Sequence, residues 1–173
     1  MYALGAIFLV PLSIGVILVS SNASQNDQAN QISRDIASMY AQGVDFSQRA
    51  NQGIAIRVAE GLGMKSGQGV LILSKIRMVH DSDCAPNAGC TNKGHPVVTQ
   101  RFVMGDARLR QSSLGTPENI DPATGKVSNW ENDTLARAQD FNLKLRQGEF
   151  TYAAECYLSS PESRMGVYSR AFF

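Results

Sequence analysis

The sequence predicts an α+β protein: a long N-terminal helix, apolar in its first third, followed by a small globular head with a four-stranded antiparallel sheet. Three observations carry this expectation. No charged residue occurs from Met1 to Asn26, and residues 2–19, YALGAIFLVPLSIGVILV, are almost wholly apolar. From Ala29 the apolar and small residues recur at steps of three and four, as they do along one face of a helix. Beyond residue 64 the pattern changes to short runs rich in Val, Ile and aromatic residues, bounded by Gly, Pro, Ser and Asn, which suit strands and turns.

The opening run admits three readings. A secretory signal would have a basic start, an apolar core of about 7–15 residues and a small-x-small cleavage site. This run is longer and has nothing basic before it, although Ser21-Asn22-Ala23 could serve as such a site. A membrane anchor fits the length, because 18 residues rise roughly 27 Å as a helix. The third reading is a helical tail buried among sister chains. Gly5, Pro11 and Gly15 lie inside the run. Small residues let helices approach closely, and Pro11 would kink the helix or open it locally.

The next stretch continues the helix. Ala29, Ile32, Ile36, Met39, Gly43, Phe46 and Ala50 follow a heptad seam. Past Ala50 the stripe slides to Ile54, Val58 and Leu62, and Gly61 and Gly63 supply stop signals. No Pro interrupts residues 12–85, so one helix from about Met1 to about Leu62 is expected, roughly 90 Å long. Such a stripe requires cover, either from the chain's own head or from other copies. The division is therefore 1–63 for the helix and 64–173 for the head, whose 110 or so residues can build their own core.

Within the head, strands are expected over 69–80, 97–109, 149–160 and 165–173, the last two forming a hairpin around Pro161 and Gly166. Phe150, Tyr152, Ala154, Cys156 and Leu158 alternate onto one face of the third strand. Leu135, Ala138, Phe141 and Leu145 are spaced as in a helix that ends at Gly148. The stretch GLGMKSGQG from Gly61 follows a helix and lacks a phosphate-loop ending, which makes it a joint between helix and sheet.

Cys84 and Cys90 bracket the loop CAPNAGC, and five intervening residues can close into a disulfide that pins a turn between strands. A metal site drawing on His80, Asp81 or His95 is the weaker alternative, since the spacing is unlike that of zinc ligands. Cys156, on the apolar strand face, reads as a buried free thiol. Asp81, Asp83 and Asp121 do not form a twelve-residue calcium loop. Asn22-Ala23-Ser24 and Asn132-Asp133-Thr134 are glycosylation sequons. The chain has none of the HExxH, GxSxG or phosphate-loop motifs, so no enzymatic role and no cofactor are expected. Its net charge of +1, from 16 basic and 15 acidic residues, gives no footprint for nucleic acid.

The layout resembles a type IV pilin, and more narrowly the TadE-like pilins of tight-adherence (Flp) pili. Two patches carry the resemblance. QISRDIASMYAQGVDFSQRANQGIAIRVAEGLG is similar to that family's helix exit into the sheet. GEFTYAAECYLSS followed by VYSRAFF is similar to its C-terminal strands, with Glu155 as the acid within an apolar strand. One departure is that type IV pilins usually carry Glu at the fifth mature position, whereas this chain has Gly5 and no acid before Asp27.

The resemblance implies a short leader removed by a prepilin peptidase, residence in the inner membrane, and extraction by pilus assembly machinery. It further implies an extracellular homopolymeric filament that mediates adhesion, with or without other pilins. The filament core would then be packed by Gly5, Pro11, Gly15 and the heptad residues. A secretion pseudopilin, an exported binding domain on a single-pass anchor and an anchored periplasmic enzyme are the competing classes.

Overall fold

The structure is a computed structural model and describes residues 23–84, 90–139, 141, 143–159 and 166–173. The expectations for Gly5, Pro11 and Gly15 lie outside the described residues. Among the described residues, two helices, four strands and two short 3-10 turns make up an α+β fold in which the helices cover one face of a four-stranded antiparallel sheet. Helix α1 spans residues 23–41 and α2 spans Arg49–Gly61. The strands are β1 (Gly69–Met78), β2 (Pro96–Gly105), β3 (Phe150–Leu158) and β4 (Val167–Phe172), in spatial order β2-β1-β3-β4.

The single helix expected from the heptad spacing is in fact two. Gly43 sits at φ 88°, which glycine adopts at no steric cost. The Val44 N–H donates to Met39 O and the Gly43 N–H to Tyr40 O, the paired bonds of a Schellman ending. The Asp45 carboxylate then accepts from the Ser47 N–H and hydroxyl, shaping the turn that leads into α2. The same device closes α2, where Gly63 has φ 107° and Met64 N–H donates to Ala59 O. Gly43 is thus a helix stop, not a small residue in a continuous seam.

The break redirects the stripe. Ile32, Ile36 and Phe46 are buried, Met39 is half-buried, and Gly43 and Ala50 are exposed. In α2 the inward residues are Ala55 and Ala59, while Ile54 points outward at 43% exposure. The small alanines let α2 lie close to the sheet. Ala29, Ser33 and Ser169 do the same for α1: the Ser169 hydroxyl lies 2.5 Å from Ala29 O and 3.0 Å from Ser33 Oγ, fastening the helix to β4. Ile32, Ile36, Tyr40 and Phe46 share one core with Leu71, Leu73, Phe102, Ala154 and Cys156.

The opposite face of the sheet is covered by the long connection from β2 to β3, which contributes Leu114, Val127, Ala136 and Ala138 to a second core with Ile76, Val98 and Ala153. The helix expected over residues 135–148 is absent; Thr134–Ala136 forms one 3-10 turn and the following described residues are irregular. The reason is competition for backbone groups. Ala138 N–H donates to Pro96 O, Leu135 O accepts from Thr116 N–H, and Arg137 bridges to Val97, so the segment's peptide groups serve the sheet edge and its neighbouring loop.

Cys84 and Cys90 are joined, with Cα atoms 5.4 Å apart, in the connection between β1 and β2. Cys156 is a buried free thiol, and burial pushes it up to about 12. A raised thiol contributes stability that is complete below pH 9 and lost as pH climbs through about 12. The native protein should therefore ignore Ellman's reagent at neutral pH, release one thiol on unfolding and three after unfolding with reductant. A reactive thiol in the native state would contradict this packing.

Candidate functional site

Two features of the described protein bear on function: the seating of α1 and a polar cluster inside the head. Helix α1 has two unlike faces. Ala29, Ile32, Ser33, Ile36, Ala37 and Tyr40 are buried against the sheet, whereas Asp27, Asn30, Gln31, Arg34 and Asp35 face solvent. At its C-terminal end Tyr40 stands edge-on to Phe46, Phe102 and Tyr152 at ring separations of 5.6, 6.0 and 4.6 Å, and its hydroxyl donates to Gln100 Oε1 at 2.8 Å. Burial, followed by the neighbouring Tyr152 and Asp45, holds the Tyr40 phenol well above the ordinary range.

The residues read from sequence as a filament seam thus divide. Ile32, Ile36 and Phe46 are consumed by the protein's own core, Met39 packs beside it, and Gly43 and Ala50 lie on the surface at the break. A contact between copies along α1 would have to use its polar outer face.

The second feature is Glu155, the acid singled out within the apolar third strand. It is 2% exposed and lies on the sheet face away from the helices. Its carboxylate accepts from the Ser113 N–H at 2.8 Å, the Ser113 hydroxyl at 2.8 Å, the Tyr168 hydroxyl at 2.6 Å and, very closely, the Ser112 hydroxyl. Arg170 stands directly across on β4 and donates to Ser113 Oγ at 3.0 Å. Burial, with Glu155 as the next cause, raises the Tyr168 phenol to about 12. Its contribution to stability is therefore complete below pH 10 and lost as pH rises through about 12.

Arg101, on β2, completes the cluster. It is 6% exposed and donates to Ser74 Oγ, Gly115 O and Leu114 O. Burial lowers it to about 10, opposed by the charge of Glu155, so it stays protonated at neutral pH. Chemically the cluster is a clamp: two buried charges hold residues 112–115 onto the sheet. The serine hydroxyls are spent on a carboxylate and face no imidazole, unlike an activated nucleophile. Sequence reading found Glu155 but missed Arg101, Ser112 and Ser113, because nothing local in VVTQRFVMG or RQSSLG marks them as partners of an acid forty or more residues away.

The other candidate ligands are satisfied locally. Asp83 pairs with Arg77 at 2.7 Å, Asp81 with Lys93 at 3.0 Å, and Asp121 accepts from Thr124 and the Ala123 N–H. His80 caps the turn that Asp83 begins to close. Among the described residues no group of His, Cys, Asp or Glu is arranged to hold a metal, and no helix is long and apolar enough to cross a membrane.

An N-terminal helix packed on an antiparallel sheet, with a disulfide in the head, is a pilin-like α+β shape. No family model, curated protein or solved structure matches the chain.

Proposed function

We propose that the chain is a structural pilin subunit, of the tight-adherence type it resembles, which polymerises through residues 2–19 into an extracellular filament. The observation that carries the reading is the seating of α1. The apolar part of the helix-side sheet face is occupied by α1 and α2, which supports a reading in which the charge-free run that precedes α1 in sequence is covered by something other than this sheet face. Before assembly that cover is the inner membrane; afterwards it is the same run on sister chains. Lipid tails are as apolar as the run itself, so the gain on polymerising comes from close packing, for which Gly5, Ala6, Ser13 and Gly15 are suited. Identical head-to-tail contacts that do not close a ring produce an open fibre. In this arrangement the head, pinned by the Cys84–Cys90 disulfide, faces outward.

Gly15→Leu tests the reading on the full chain. The bulkier residue should abolish fibres, seen by negative-stain microscopy after detergent removal, while thermal unfolding of the detergent-solubilised protein stays within about 0.5 kcal/mol of the original. Intact fibres from the variant, or a full chain that remains solitary without detergent, would reject polymerisation and favour an exported domain on a single-pass anchor. Ile36→Asp is not a usable probe of assembly, because Ile36 is wholly buried in the head's own core.

A further inference from the structure

The helix-side face of the sheet is apolar at one end and cationic at the other. Leu71 and Leu73 on β1 lie under the helices; the next residues of the same parity are Lys75 and Arg77. Lys75 is paired in register with Gln100 on β2, and Gln100 with Lys126 on the covering connection. The three residues therefore form a row across one face, with the backbones at Lys75 and Lys126 two strand spacings apart, about 10 Å, and the Lys75 ammonium reaching toward β3. Gln100 between them is held rigid, accepting from Tyr40 and donating to Thr124 O at 2.7 Å. Lys75 Nζ sits 4.3 Å above the Phe150 ring, and Phe150 is itself half exposed. Lys75, Arg77, Gln100, Lys126 and Trp130 line an open cleft of about 250 Å³.

The charges of this cleft are unequally answered. Arg77 is neutralised by Asp83 at 2.7 Å, and Lys126 lies near enough to Asp121 to favour that carboxylate's charged form. Among the described residues neither Lys75 nor Lys126 makes a direct ion pair. Two ammonium groups thus flank a polar floor, beside an indole that is half-buried against the second core.

We propose that this cleft binds an acidic carbohydrate, a uronate- or sulfate-bearing chain, with Trp130 against a sugar face and Lys75 and Lys126 on the anionic groups of different sugar residues. Charge complementarity selects the anion, and the indole suits a ligand with an apolar face. A polynucleotide fits less well. Its affinity comes from many phosphate contacts and a strong positive field, and this chain offers two ammoniums without a direct ion pair and a net charge of +1. The site lies wholly on the head and does not depend on polymerisation.

Trp130 is the single tryptophan of the chain and lies between the cleft and the second core, so its emission serves as the binding signal. Titrating the full chain in non-ionic detergent with a short oligogalacturonate should shift that emission saturably, more weakly at high salt. The Lys75→Gln, Lys126→Gln double variant should weaken binding by about tenfold or more, while the protein stays folded, since the direct contact removed is the surface one between Lys75 and the Phe150 and Tyr152 rings. A maltooligosaccharide of equal length should bind at least about tenfold more weakly than the acidic chain. Absence of binding, equal affinity for the neutral sugar, or an undiminished double variant would overturn the proposal. Tighter binding of a single-stranded oligothymidylate would overturn it in favour of a nucleic-acid surface.

Discussion

Phe46→Ala should destabilise the protein by about 3–5 kcal/mol, the usual cost of emptying a large aromatic site in a core. Phe46 has no exposed surface, yet it stands in the seven-residue break between α1 and α2. Its ring lies 5.6 Å from Tyr40 and 6.4 Å from Phe102, so it joins the end of α1 to β2. The break cannot simply close on the vacancy, because its backbone is already fixed by the Gly43 stop and the Asp45 turn. Its carbonyl also accepts from Gln52 Nε2 at 2.7 Å. Denaturant unfolding checks the figure. Phe46→Leu, which keeps most of the volume, should recover more than half of the loss. A loss below about 1 kcal/mol for the alanine variant would show that the break is not a packed part of the core.

Glu155→Ala should cost a comparable amount, about 3–5 kcal/mol, for a different reason. The alanine leaves the Ser113 N–H and three hydroxyls without their acceptor. It also leaves the buried Arg101 without its opposing charge. Glu155→Gln retains the shape and an acceptor oxygen but no longer answers that charge, so it should cost less, about 1–3 kcal/mol. Amide exchange at Ser113 and Leu114 should accelerate in both variants beyond what the drop in global stability requires, since the clamp on residues 112–115 opens first. Exchange that merely follows global unfolding would show that Glu155 acts by filling space.

How legible the protein was depends on how local each signal is. The four strands were readable from runs of about nine to thirteen residues because period-two alternation and turn chemistry are local properties, and each strand end falls within about four residues of where pattern places it. The disulfide was readable for the same reason, a short Cys-x5-Cys loop between strands. Two helical expectations failed instructively. At Gly43 the three-four spacing and a helix stop demand the same small residue, and only the turn that follows at Asp45 and Ser47 distinguishes the two. Over residues 135–148 helical spacing was present, but Ala138 and Leu135 commit their backbone groups to partners elsewhere in the chain. The Arg101–Glu155 clamp left no local trace, because its partners come from three separate stretches of sequence.

Pattern within the chain was sufficient for the α+β class, the order of the elements and the pairing of Cys84 with Cys90, since each rests on signals between residues close in sequence. Packing between distant segments settled the rest. It turned the helical stripe inward onto the chain's own sheet, gave Glu155 its donors, and set Lys75 and Lys126 on one face. A one-dimensional pattern can state that a face is apolar or that an acid is buried. Which surface covers that face, or which donors meet that acid, is decided only when strands and loops far apart in sequence compete for the same space and the same hydrogen bonds.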